Sequence, residues 1–200
     1  MKTTRFLSVA VFAAIAFNLF ACSSDDSDDN TGGGGAVPST NANGDQTYKV
    51  DGAQVYILGL PSRPYDGNAT TLVGANCNSG TVGRIENGKL FLDLPGIEDP
   101  DIFDEDGICE EEFAVEGTNL YAELFGTTKG LTQVAAKDDV IGAASFLYVS
   151  KTGEFTDPDD PEFKLNFKKG WNIVYFSFAN GTVTVGQPIS GLKWEWGLND

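Results

Sequence analysis

From residue 46 onward the chain alternates. Short runs of Val, Ile, Leu, Phe, Tyr and Thr with a period of two are separated by Gly, Asn, Asp and Pro, the pattern of half-buried strands bounded by turns. No stretch of helical length carries apolar residues at i, i+3, i+4 and i+7. The pattern predicts strands over 53–60, 69–74, 81–86 and 89–94. Asn87-Gly88 between the last two supplies the positive φ angles of a type I′ turn, so these form a hairpin. Apolar alternation resumes over 113–125, where a short helix is the alternative. Strands are expected over 131–136 and 140–150, with a rigid acidic loop at 157–161.

The last third carries the clearest pattern. Phe163, Leu165 and Phe167 alternate with Lys164, Asn166 and Lys168. Residues 171–178 are apolar at both odd and even positions, as a strand covered on both faces would be. Asn180-Gly181 marks another turn before 182–185, and 192–196 closes the chain as a last strand. About eight to ten strands with short links and no βαβ rhythm predict an all-β domain. A single antiparallel β-sandwich is the expected form, with a small, partly closed β-barrel as the alternative.

The N-terminus follows another rule. Lys2 and Arg5 precede an apolar run over 6–20, the build of a secretory signal and too short for the ~20 residues of a spanning helix. Leu19-Phe20-Ala21-Cys22 ends that run and resembles the lipobox of bacterial lipoproteins, although Phe20 replaces the small residue usual there. The resemblance implies cleavage before Cys22, diacylglycerol on its thiol and a further acyl chain (a palmitate, for example) on the new amino group. Several chains matter because one alone holds a protein only marginally at a membrane. The acidic stretch directly after Cys22 resembles the export signal of some Gram-negative surface lipoproteins. It implies an outer-membrane protein facing the cell surface, with a periplasm-facing one as the alternative. The chain thus divides into a signal at 1–21, a lipidated Cys22 with a polar, Gly-rich tether to 45, and one domain over 46–200.

Charge and cysteines narrow the setting. Removing residues 1–21, which hold Lys2, Arg5 and no acid, takes the formal charge from −16 to −18. Such a surface repels nucleic acid, so nucleic acid is not a partner. With Cys22 acylated, Cys77 and Cys109 remain as a pair in an oxidising compartment, predicting a disulfide; two free thiols are the alternative.

Candidate chemistry is sparse. The chain has no histidine, which removes Ser-His-Asp and Cys-His catalysis and ordinary zinc sites. Residues 98–112 hold nine acids and no base and read as an exposed loop. Asp101, Asp104, Asp106 and Glu110, with Glu111 and Glu112 beside them, are the hard oxygen ligands a Ca²⁺ ion would need. The EF-hand register fails, and a solvated acidic loop is the bland alternative. Trp194 and Trp196 share a strand face, and Trp171 and Tyr175 share another. Exposed coplanar aromatics of this kind stack on sugar rings, whereas most such residues are core. Tyr56, Tyr65 and Tyr148 are further candidates to line a groove. Together these features point to a lipid-anchored envelope protein that binds a glycan, a peptide or a partner protein without catalysis. A structural lipoprotein without a small ligand, and a carboxylate-based glycoside hydrolase, are the alternatives.

Overall fold

A computed structural model of the chain describes residues 36–133, 139–157 and 160–200. The expected signal at 1–21, Cys22 and the expected tether up to residue 35 lie outside the described residues. Fifteen strands are present among those described: β1 (Val37–Thr40), β2 (Gln46–Ile57), β3 (Arg63–Pro64), β4 (Thr70–Gly74), β5 (Thr81–Glu86), β6 (Lys89–Asp93), β7 (Ile108–Glu111), β8 (Phe113–Val115), β9 (Tyr121–Thr127), β10 (Val140–Val149), β11 (Gly153–Thr156), β12 (Lys164–Phe167), β13 (Gly170–Ser177), β14 (Val183–Val185) and β15 (Lys193–Asn199). Seven of them, β1, β3, β7, β8, β11, β12 and β14, have two to four residues, and strands this short leave little period-two signature, which is why pattern alone predicts fewer.

Thirteen strands form one sheet that closes on itself. The path β2–β6–β5–β4–β8–β9–β10–β13 returns to β2 through the parallel pair Gly170 and Gln46, a barrel-like ring of eight strands. The all-β expectation holds in this barrel-like form. The seam departs from a purely antiparallel scheme: β15 runs antiparallel to the whole of β9 and parallel to Val55–Ile57 of β2. Gly170 sits in the seam at φ 96°, where a Cβ would strike the backbone of Gln46. The Asn87-Gly88 turn is as expected, with φ of 53° and 71°, both in the left-handed region.

Inward-facing side chains fill the ring. Tyr48, Val50, Val55, Leu72, Ile85, Leu90, Leu92, Phe146, Trp171 and Leu198 are all within its core. Phe146 stacks on Trp196 at 5.7 Å, Phe113 meets Phe146 edge-on at 5.2 Å, and Tyr148 meets Trp171 at 5.2 Å. Strand β13 is covered on both sides, as its unbroken apolar run predicts. Trp171, Ile173 and Tyr175 face the ring, while Val174 and Phe176 lie under the β11–β12 hairpin with Leu165 and Phe167. Asn172 is buried among them and satisfied by Lys168 and Gly170 carbonyls at 2.7 and 2.8 Å.

Four local readings are corrected. Part of the stretch read as tether is a strand, because β1 pairs with β2 from Val37↔Lys49 to Thr40↔Gln46. Residues 113–125 split into β8 and β9 around a turn closed by Val115 N–H to Leu120 O, with no helix. Leu131–Gln133 is a 3-10 turn, not a strand: fully buried Leu131 plugs a small cluster with Tyr56, Leu58 and Phe125, and its N–H donates to Glu195. Residues 134–136 and 158–159 lie outside the described residues. Finally, the acidic run is not all loop, since Ile108–Glu111 pairs with Phe146–Val149 of β10.

Candidate functional site

The outer surface of β2, β6, β5 and β4 carries the larger cleft, about 810 Å³ in volume. Its floor follows from hairpin arithmetic. A two-residue turn at Asn87-Gly88 sets Arg84 opposite Phe91. The ladder continues on both sides, Phe91 to Asp51 on β2 and Arg84 to Thr71 on β4. Four side chains on four strands therefore stand in one row, Asp51–Phe91–Arg84–Thr71, about 14 Å long at ~4.8 Å per strand. Lys49 and Asp93 pair in the next row. The Arg84 guanidinium lies over the Phe91 ring at 4.4 Å, and its Nε donates to Glu86 at 3.2 Å. Lys49 reaches Asp51 at 3.9 Å. Gly83 stands opposite the core residues Leu92 and Leu72, and a Cβ there would strike the Phe91 carbonyl and Leu92.

A second cleft of about 590 Å³ opens at one mouth of the ring, between the turn at 41–45, the 95–98 segment and Phe103. Its centre is Asp45, buried at 5 % exposure and ion-paired to Lys169 at 2.9 Å. Asn41 donates to the same carboxylate at 3.1 Å. Burial acts to raise the Asp45 pKa. The hydrogen bonds from Lys169 and Asn41, the Lys169 charge and a bond from Tyr148 overcome it and hold the carboxyl below its ordinary value. Tyr148 itself is pushed up by burial and by the Asp45 charge. This pair stands beside the single Gly170–Gln46 bridge and the Gln46 N–H to Lys169 O bond of 2.8 Å, so it latches the seam.

The residues singled out in the sequence fall elsewhere. Trp171, Trp194 and Trp196 are 0, 9 and 3 % exposed and belong to the core, so they offer no stacking surface. Trp171 spends its N–H on Pro95 O at 2.6 Å and Trp194 its own on Ile189 O at 3.3 Å. Tyr175 packs edge-on against Trp194 at 4.8 Å, and burial raises its hydroxyl pKa well above the ordinary value. Of the three groove tyrosines, Tyr148 lines the mouth cleft, while Tyr56 and Tyr65 pack against the core clusters.

The proposed Ca²⁺ ligands do not converge. Among the described residues, no three His, Cys, Asp or Glu side chains gather closely enough to hold a metal ion. Asp104 instead accepts from the N–H groups of Asp106 and Ile108 at 2.8 and 3.0 Å, and burial still leaves its pKa raised. Asp101 is exposed within a second 3-10 turn, Pro100–Ile102, its N–H held by Asp99, and Asp106 is exposed at the loop tip. Glu110 is raised by burial, against a hydrogen bond from Ser145 and with the Glu112 charge adding to the rise. Cys77 and Cys109 are joined in a disulfide, with their Cα atoms 5.9 Å apart.

The strongest polar cluster was invisible in the pattern. Glu111, 5 % exposed, turns its carboxylate into the β4–β5 connection. Its Oε1 accepts from the N–H groups of Ala75, Asn76, Cys77 and Glu112 at 3.0–3.2 Å. Its Oε2 accepts from both the backbone and the side-chain amide of Asn78 at 2.8 Å. Successive N–H groups pointing inward make such a loop an anion cradle, and here the anion is the chain's own. Arg84, Phe91, Asp51 and Thr71 were also missed, yet their shared row follows from the Asn-Gly register and the outward parity of each strand. Comparison with protein-family models, curated proteins and solved structures finds no match to this chain.

Proposed function

We propose that the protein is held by acyl chains on Cys22 at the outer membrane, facing the cell surface, and works there as a non-enzymatic binding module. The observation that carries this reading is the row Asp51–Phe91–Arg84–Thr71 on the floor of an 810 Å³ groove. With Asp93 of the next row, it combines an aromatic face, a guanidinium fixed by Phe91 and Glu86, two carboxylates and a hydroxyl, the mixture of apolar body and placed polar groups that small-ligand sites use. The disulfide supports an oxidising envelope compartment. Asp51 and Asp93 stand on neighbouring strands of one wall, an arrangement for holding a ligand rather than for flanking a bond as a hydrolase pair does.

The test is binding of the detergent-solubilised lipoprotein to glycan and envelope-protein panels, alongside its Phe91→Ala variant. Saturable binding should weaken about tenfold or more in the variant, the loss of roughly 1.4 kcal/mol. Undiminished binding would place the ligand elsewhere and end this reading. For the anchor, intact mass should show position 22 acylated in the wild type and the whole signal retained in Cys22→Ser.

A further inference from the structure

Resting on the reading of the groove as the binding surface, we infer that its ligand is an uncharged glycan rather than an acidic glycan or an extended peptide. Three features of the face carry this.

The first is what the backbone withholds. An extended peptide gains most of its affinity by adding a strand to a free edge. Beneath this groove β5 is paired to β4 and β6, and β6 to β5 and β2, so the floor has no free ladder edge. Recognition must run through side chains alone.

The second is the kind of hydrogen bonding those side chains offer. A sugar hydroxyl donates and accepts at once. The groove sets donors (the Arg84 fork, the Lys49 ammonium) beside acceptors (Asp51, Asp93), with the hydroxyls of Thr71 and Thr81 able to do both. Asp51, Arg84 and Thr71 share one row with Phe91 among them, and Lys49 faces Asp93 in the next, a spread that suits a polyol laid across the strands. The flat Arg84–Phe91 stack gives a plate against which the apolar face of a pyranose can rest.

The third is charge. Each base of the groove already has an acid two residues away on its own strand, Lys49 with Asp51 and Arg84 with Glu86. No positive charge is left over for a carboxylate or sulfate. The whole chain carries −16 and adds a field that slows the approach of any polyanion. An uncharged glycan meets neither obstacle, and its binding should be nearly indifferent to salt.

The experiment uses the full lipoprotein in detergent against neutral polysaccharides (dextran, mannan, xyloglucan), acidic ones (polygalacturonate, heparin) and envelope proteins. Wild type should bind at least one neutral polymer and neither acidic one. The affinity should change less than about twofold between about 50 and about 200 mM salt. Arg84→Ala and Phe91→Ala should each lose about tenfold. Lys164→Ala, on the remote β12, should not. Arg84→Lys, which keeps charge but not the planar fork, should also lose binding while melting as wild type does, which separates recognition from folding. Preference for an acidic polymer, weakening with salt and with Arg84→Ala, would overturn the inference and leave the binding module standing. So would capture of envelope proteins alone through Phe91. Neutral-glycan binding untouched by Phe91→Ala and Arg84→Ala would overturn the inference and the groove reading together.

Discussion

Strands β10 and β13 are covered twice, by the ring's interior and by the β11–β12 hairpin; β4, β5 and β6 are covered once. The aromatic residues follow that division. The tryptophans lie where the sheet packs on the interior, and the one-sided strands keep a single half-buried Phe91 outside under an arginine. The difference teaches that an aromatic residue on a doubly covered strand, such as Trp171 of β13, is packing, and that candidate recognition sits on the face that is polar, singly covered and unremarkable in hydropathy.

Four measurements would break or sharpen that division. Trp171→Ala, on the doubly covered strand, removes a fully buried ring and its bond to Pro95, and should destabilise by about 3–5 kcal/mol in denaturant unfolding. Glu111→Gln places an NH₂ group where only N–H donors point, and should lose about 1.5–3 kcal/mol by the same assay. Phe91→Ala, on the singly covered face, should shift stability by less than about 1 kcal/mol while binding is lost. A large unfolding effect there would make Phe91 a core residue and erase the contrast.

The smallest effect is a pH dependence at the ring's mouth. Asp45 is held below its ordinary pKa, so its contribution is present above pH ~4 and is lost as pH falls through the depressed value. Lys169 is raised, first by the hydrogen bond to Asp45 and then by its charge. Its share is therefore present below pH ~10.5 and lost as pH rises through the folded value. The melting temperatures of wild type and Lys169→Ala should differ modestly at pH 7 and converge in strong acid. A gap that persists once carboxylates are protonated would assign the difference to something other than this ion pair.

Much of the scaffold can be read from residue order. The Asn87-Gly88 turn, the two-faced burial of β13 and the Cys77–Cys109 bond each follow from local chemistry or from counting. What could not be read depends on partners distant in sequence. Ile108–Glu111 looks like more acidic loop until β10 pairs with it and the N–H groups of Ala75–Asn78 satisfy the Glu111 carboxylate. Leu131 has the apolar company of a strand, yet its role is to plug a cluster whose members come from β2 and β9. Trp194 and Trp196 share a face as spacing predicts, but spacing does not say whether that face looks in or out. The row around Arg84 is the intermediate case. Its register was available from the turn, while its isolation from other cover was not.

The cradle around Glu111 also bears on the covalent bond next to it. Cys77 is one of the residues whose N–H holds the carboxylate, and Cys109 lies two positions before Glu111 on the same face of β7. The β4–β5 connection is thus tied to β7 twice, by the hydrogen bonds to one carboxylate and by the covalent bond beside it, so Glu111→Gln would loosen the backbone around a disulfide that still holds the two segments together.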